Sequence, residues 1–599
     1  MRARKSRRQF LNYVVLGSAA SLLAACTPGA PAAPTSAPAA PTPAPGSPTP
    51  ASSASTAAPA APKPSSAPSP SAAAPAPSPA ATTPPAATTA PAAAKPSGGG
   101  DAHVAIQVKP TGFYTLKFIA QQISFLFLDK LLTVADDWTL QPRLAERWET
   151  GPDGKSVTFF LRRGLKWSDG APLTAKDIQF TFKSTMDVRT AAAPGPTSII
   201  KGYQDFRDGK IASPPGLVVV DDSTFRLEFD TANAGFVPSM SFLGFQILPE
   251  HILGAVDPTQ LEQHPFFQNP TVGSGPFTFV KYETDQFVQV ERNPNFWGPP
   301  AKLERIFVHI ATSDVATAQL QKGEIVHTQV SVTDTETLKT APGVKVANKP
   351  AAGIFLMAPM FDGTKFNNKL VRQALVYAID RQGIVDQVLK GYGRVVNSHI
   401  IGPDWAINPN LNKYEYNPEK AKALLQEAGW DANTPVVINW MAGQGGRDVE
   451  NSLLIAQSQL QAVGIKADFV PLERGPLLEA ITGRKFDLVA YGGGVYTVDP
   501  DSTSYVLMCQ FTQPKGANNP GYCNPNVDRL YLEGRATTDP AQRARAYQEA
   551  SALINDDVSH VWLFVADAIY GYSDKLQGLK PHGDFNSAYW NAHEWSLSA

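Results

Sequence analysis

The chain has 599 residues and a formal net charge of −1. Residues 101–599 hold all 53 acidic residues and 45 of the 52 Lys and Arg, a net charge of −8. That argues against nucleic acid as a partner, because phosphate binding requires basic surface. About 500 residues also exceed what one hydrophobic core supports, so at least two lobes are expected.

At the N-terminus Arg2, Arg4, Lys5, Arg7 and Arg8 precede an apolar stretch from Leu11 to Ala25. A basic segment before a short apolar one predicts a signal peptide over residues 1–25. The apolar run falls short of the ~20 residues that a membrane span needs. Ser6-Arg7-Arg8-Gln9-Phe10-Leu11 resembles the twin-arginine export motif, the alternative being ordinary positive charge for general secretion. Leu23-Ala24-Ala25-Cys26 resembles a bacterial lipobox, in which the cysteine is lipidated and becomes the mature N-terminus. The expectation is an exported protein lipid-anchored through Cys26 to the outer face of the cytoplasmic membrane, at a cell surface or in a periplasm.

Residues 26–100 follow as a stalk rich in Ala, Pro, Ser and Thr, with 21 of the 53 prolines. Its only charged residues are Lys63 and Lys95, and it has no aromatic residue. Such a segment buries too little apolar surface to offset the entropy of ordering. Proline biases it toward extended conformations. A Pro-rich ligand for a partner domain is the alternative reading.

Beyond the stalk, strands and helices mix, as in α/β layers. Ser156–Leu161 reads as a strand, and Trp148, Phe159, Leu161 and Trp167 as core. Thr174 with Asp177 forms a capping-box pattern that starts a helix. Gly273-Ser274-Gly275 lacks a following Gly-Lys-Ser/Thr, so it reads as a tight turn and not a phosphate cradle. His399 is a lone histidine in a loop and reads as a surface or packed residue. Asn417-Pro418 starts a helix that stops at Gly429, and Asp539-Pro540 starts another. Val449–Ala462 reads as a helix and Lys466–Leu472 as a strand. Cys509 and Cys523, an even pair in an exported domain, predict a disulfide. No metal-ligand spacing, GxSxG elbow, HExxH helix or P-loop is present, so no cofactor or metal is expected. The acidic pairs Asp499 with Asp501 and Asp556 with Asp557 read as solvated turns or helix ends.

The stretch LDKLLTVADDWTLQPRLAERWETGPDGKSVTFFLRRGLKWSDGAPLTAKDIQFTF, from Leu128 to Phe182, resembles the signature region of the family 5 extracellular solute-binding proteins. These are capture subunits of importers for peptides, nickel and some oligosaccharides. Further blocks match in order: VGSGPFTFVKYE from Val272, VERNPNFWGPP from Val290, FNNKLVRQALVYAIDRQGIV from Phe366, NPEKAKALLQEAGW from Asn417, FDLVAYGGGVYTVDP from Phe486 and GYCNPNVDRL from Gly521. The resemblance implies a two-lobed α/β fold of the periplasmic-binding-protein type (type II, large peptide-binding subclass) with a hinge between lobes. Lobe I would span 101–345 with an extra subdomain, lobe II 346–566, and residues 567–599 would return to lobe I. The chain would cross between lobes near Lys345 and Asp567.

The resemblance implies a solute-binding lipoprotein, not an enzyme, that delivers a peptide or oligosaccharide-like solute to an ABC permease and acts as a monomer. A ligand-presenting sensor of the same fold and an extracellular hydrolase are the alternatives. In peptide-binding members an aspartate pairs with the peptide α-amino group. Counting from Phe486-Asp487 to Asp499-Pro500 places Tyr496 there, and a tyrosine supplies no charge-assisted bond to an ammonium. Asp499 or Asp501 could substitute. Tyr491, Tyr496, Trp405 and Trp440 are candidates to stack on a sugar or apolar ligand, with core packing as the alternative for each. Gln444 and Arg447 in a Gly-rich loop are further candidates. Gly492 to Gly494 suggests a close approach of backbone to a ligand or another segment.

Overall fold

The computed structural model describes residues 99–598 except 118–119, 191, 193–194, 241–244, 352, 364, 495–497, 514–515 and 585–586. Cys26, the expected signal peptide and stalk, and Tyr496 lie outside the described residues.

Twelve strands form one mixed sheet: β1 (Asp101–Ile106), β2 (Phe277–Glu283), β3 (Phe287–Arg292), β4 (Arg305–Ile310), β5 (His327–Gln329), β6 (Val344–Pro350), β7 (Gly353–Pro359), β8 (Gly393–Val395), β9 (Pro435–Met441), β10 (Lys466–Leu472), β11 (Leu488–Gly494) and β12 (Val561–Ser573). The spatial order is β10-β9-β11-β7-β12-β5-β1-β4-β3-β2, with β6 and β8 also paired to β12. β1 lies parallel to β4 and β5, and β9 parallel to β10 and β11.

β12 is the link between the two halves of this sheet. Near its start Val561 and Phe564 pair with Met357 and Phe355 of β7. Farther on it pairs antiparallel with β6, from Pro350 opposite Asp567 to Val344 opposite Ser573. Its 13 residues read VWLFVADAIYGYS, rich in the branched and aromatic residues that favour strands.

The molecule is two-lobed, and its buried side chains fall into separate clusters, one of which also draws on Ala105 and Ile325. One cluster runs from Ala102 to Val308 and takes in Leu576, Tyr589, Ala592 and Trp595. Two more are built mainly from residues between Ile354 and Ile569. Helices α2 (Ser313–Gln321) and α3 (Val332–Lys339) supply Ala316, Leu320, Val332 and Leu338 to one of these.

The first lobe carries a smaller four-stranded sheet, in the order 145–150, 156–161, 224–228 and 217–221. Val157, Phe159 and Leu161 alternate inward along Ser156–Leu161, the period-2 pattern of a half-buried strand. Trp167 is buried as expected, but Trp148 is only half-buried. It sits on the edge strand of this sheet, which has no neighbour on its outer side. Thr174 and Asp177 form the capping box of α1 (Ala175–Met186). The Asp177 carboxylate also accepts from Glu250 N at 3.0 Å, tying the helix start to a distant loop.

The Gly273–Gly275 turn packs backbone on backbone. A Cβ at Gly275 would lie 2.6 Å from the Leu126 carbonyl oxygen, and one at Gly273 would collide with that of Phe127. Ser274 Oγ accepts from Asp129 N at 3.0 Å.

In the second lobe, Asn417 Oδ1 accepts from Lys420 N at 2.9 Å and starts α4 (Pro418–Glu427). Gly429 then turns the chain at φ 67°. α5 spans Gly446–Ala462 and α6 Pro525–Arg535. Asp539 Oδ1 accepts from Ala541 N and Gln542 N at 2.8 and 3.0 Å, starting α7 (Pro540–Asp557). Cys509 and Cys523 form a disulfide, their Cα atoms 4.5 Å apart.

Candidate ligand-binding site

The two lobes meet where the loop after the small sheet reaches the segment following β11. Ala234 N donates to Arg535 O at 2.9 Å. Gly235 faces Asp501 so closely that a Cβ would lie 2.6 Å from Asp501 Cβ. Glycine is required here by contact, not by dihedral angle. Beside this contact lies a crevice of about 430 Å³, including the part open to solvent. Ser198, Asn233, Phe236 and Ser239 line it from one lobe. Asp501, Ser502, Tyr505, Phe511 and Arg535 line it from the other.

Its charged groups are already paired. Arg535 Nε lies 3.1 Å from each carboxylate oxygen of Asp501, and Arg535 Nη2 donates to Ser504 Oγ at 2.9 Å. Tyr547 Oη donates to Asp501 Oδ1 at 3.2 Å. Behind this pair, Arg543 grips Asp499 in two-pronged fashion, with Nη2 to Oδ1 and Nη1 to Oδ2 both 2.9 Å. Asp499 Oδ1 also accepts from Asp501 N at 2.9 Å, capping the short 3₁₀ turn at Pro500–Thr503. Burial pushes the Asp499 carboxyl up, with Arg543 pulling the other way. Burial lowers the Arg543 guanidinium, but the Asp499 carboxylate outweighs it and keeps the arginine charged.

The expectation of solvated acids at Asp499 and Asp501 is therefore wrong: they are 3 % and 5 % exposed. Two arginines from α6 and α7 compensate what burial would otherwise make untenable. Asp556 does follow expectation, forming an exposed pair with Lys369 at 2.8 Å. Asp557 instead accepts from Tyr522 Oη at 2.6 Å.

Two polar atoms in the crevice wall have no hydrogen-bond partner among the described residues. Asn233 is 4 % exposed and its Oδ1 is unsatisfied, as is the buried Tyr505 Oη. Burial raises the Tyr505 phenol well above its ordinary range, so the hydroxyl is neutral. Buried polar groups are normally bonded, so such exceptions call for an explanation.

The other expected residues scatter. Gln444 clamps the end of β11: Gly492 N donates to its Oε1 at 3.1 Å, and its Nε2 donates to Gly492 O at 3.4 Å. The close approach expected at Gly492 is thus met by a side chain of this protein. Tyr491 on the same strand packs against the third core cluster, its phenol pushed up to about 12 by burial. Trp440 follows the core-packing alternative: it is 8 % exposed and, on the same face of β9 as the buried Val436 and Ile438, belongs to the second core cluster. Trp405 is 37 % exposed and lies 5.3 Å from the Arg543 guanidinium, which brings it near Asp499. Arg447 is exposed and pairs with Asp314 of α2 at 3.1 Å. His399 is packed, its Nε2 2.6 Å from Tyr531 Oη, which is itself 2.6 Å from Thr503 Oγ1. Asn233, Tyr505, Arg535 and Arg543 escaped the sequence reading, since no local pattern joins them.

Comparison with known proteins finds relatives over most of the chain. The profile described as bacterial extracellular solute-binding proteins, family 5 Middle, matches residues 139–513. The oligopeptide-binding protein AppA of Bacillus subtilis is 27 % identical over 523 residues, covering 84 % of this chain and 93 % of that one. Heme-binding protein A of Haemophilus influenzae is 27 % identical over 447 residues, covering 72 % and 79 %. The structure of Bacillus subtilis AppA in complex with a nonapeptide superposes with a TM-score of 0.73 at 25 % identity, covering 84 % of this chain and 100 % of that one.

Proposed function

The chain belongs to the bacterial extracellular solute-binding proteins of family 5, and on that premise we propose that it captures a peptide or oligosaccharide-like solute between its lobes and delivers it to an ABC permease. The observation that carries the reading is the crevice at the lobe junction, walled by Asn233 and Phe236 on one side and by Tyr505 and Arg535 on the other. A ligand there touches both lobes only when they are together, so it favours the closed arrangement.

Further contacts join α5 to α2 and α3, helices that lie within 101–345 yet share the second core cluster with α5. The Asp448 carboxylate at the start of α5 accepts from Val332 N, at the start of α3, at 3.2 Å. Arg447 pairs with Asp314 beside it. The lobes would divide at 101–345 and 346–566, with 567–599 returning to the first. β6 and β12, hydrogen-bonded to each other, would form the hinge.

The proposed role is binding without turnover, by a monomer. Cys26 would carry the lipid, and residues 26–100 would keep the trap near its permease while leaving the lobes free, raising its effective concentration there. The place of Tyr496 in the FD-to-DP segment supports a ligand not held mainly through a free α-amino group.

The test is native mass spectrometry of the gently purified protein, to identify a co-purified solute, followed by small-angle scattering with and without it. Contraction of the radius of gyration on binding is the expected result. Chemical conversion of the solute, or binding with no contraction, would overturn the reading.

A further inference from the structure

The crevice has an unusual distribution of hydrogen-bonding capacity. Its charges are spent: both Asp501 oxygens face Arg535 Nε at 3.1 Å, and Asp499 behind it is held by Arg543 at 2.9 Å. Its unspent groups are neutral. Asn233 Oδ1 can only accept, while Tyr505 Oη can donate and accept. Ser198 and Ser502 add hydroxyls to the lining, and Phe236 and Phe511 add apolar faces.

An ammonium entering here would meet no free carboxylate and would sit beside Arg535. It would lose its hydration without a charged partner, which is costly in a desolvated site. A carboxylate would meet Asp501. A hydroxyl or a carboxamide carries both a donor for Asn233 and an acceptor for Tyr505, and needs no counter-charge. Leaving the two buried groups unpaired costs free energy in the empty crevice, so a ligand that satisfies them gains by that difference.

We infer that this crevice is a subsite for an uncharged hydroxyl- or carboxamide-bearing group of the ligand, read by Asn233 Oδ1 and Tyr505 Oη, and that it selects against a free ammonium. The inference rests on the capture reading, because the two groups come from opposite lobes. It makes the junction a selectivity element as well as a closing surface.

The probes are cellobiose for hydroxyls, N-acetyl-trialanine amide for carboxamides, and free trialanine for the ammonium, each titrated against the full chain by calorimetry. The variant is Tyr505→Phe. It removes only an unpartnered hydroxyl, so the ligand-free melting temperature is expected to be unchanged. At least one neutral probe is expected to bind, with Tyr505→Phe weakening it about five- to tenfold, the effect of one lost hydrogen bond. Free trialanine is expected to bind at least tenfold more weakly than its blocked form. Three results overturn the inference: free trialanine binding as tightly as the blocked form, a neutral probe insensitive to Tyr505→Phe, or no binding by either neutral probe. Small-angle scattering separates this from failure of the capture reading. If free trialanine or a co-purified solute contracts the particle, capture stands and only the subsite falls.

Discussion

Arg535 and Asp501 meet with one guanidinium nitrogen, Nε, equidistant at 3.1 Å from both carboxylate oxygens, and each residue is only 5 % exposed. Their partners complete the set, Ser504 on the arginine and Tyr547 on the acid. Removing one member strands the other charge in the interior, which costs about 3–5 kcal/mol. Asp501→Ala is therefore expected to lower the unfolding free energy by about that amount in urea titrations. The double variant Asp501→Leu, Arg535→Met should lose less than the single one. Parent-like urea midpoints for Asp501→Ala would contradict the assignment.

Buried histidines make stability depend on pH, three of them fully buried and a fourth, His593, pushed down to about 4 as well. His399 and His560 are pushed down to about 3 and His327 to about 4, chiefly by burial. In the unfolded chain each titrates near 6.5. With folded values depressed, the unfolded state binds more protons in acid. The stability is fully present above about pH 6.5 and is lost as pH falls toward the folded values. Each histidine contributes about 1.4 kcal/mol per pH unit in that window, roughly 4 for all three. Urea midpoints should fall markedly between pH 7 and pH 5. His327→Phe, which preserves the stack on Trp595 (ring centroids 5.4 Å apart), should make the slope shallower. Equal midpoints at the two pH values would refute this account.

The bridge between Cys509 and Cys523 spans a separation of 14 residues. Closing a loop of that size restricts the unfolded chain and contributes about 3 kcal/mol in the chain-entropy model. Mild reduction should lower the urea midpoint accordingly. Insensitivity to reduction would mean that strain or residual structure cancels the gain.

Cys26→Ala is expected to move the protein from the membrane fraction to the soluble one, since the proposed lipid would be attached to that thiol. Fractionation of cells expressing the parent and the variant decides it. A variant still in the membrane pellet would remove the proposed anchor.

Local chemistry made several elements legible. Asn417-Pro418, Asp539-Pro540 and the Thr174 with Asp177 box each start a helix where expected, because capping is settled within four residues. Lys466–Leu472 and Ser156–Leu161 are strands at the bounds read from the sequence. The site was less legible. Asp499-Pro500-Asp501 looks like a solvated turn because the arginines that neutralise it lie 44 and 34 residues downstream, on two helices. Asn233 and Tyr505 line one crevice from segments that no periodicity links. Trp440 shows another limit: an aromatic residue in a strand reads equally as core or as ligand contact until the layer packed on that face of the strand is known.

Trp595, Tyr589 and Leu576 share a buried cluster with Ala102 and Val104. During synthesis, then, the first lobe has no finished interior until almost the whole chain has left the ribosome. Its early strands must wait with apolar side chains uncovered, a state prone to aggregation. The second lobe waits almost as long, since its core takes Val561, Phe564 and Ile569 from β12 as well as Ala105 and Leu320 from the earlier chain. Both interiors are thus expected to close only when β12 and the residues after it have been made.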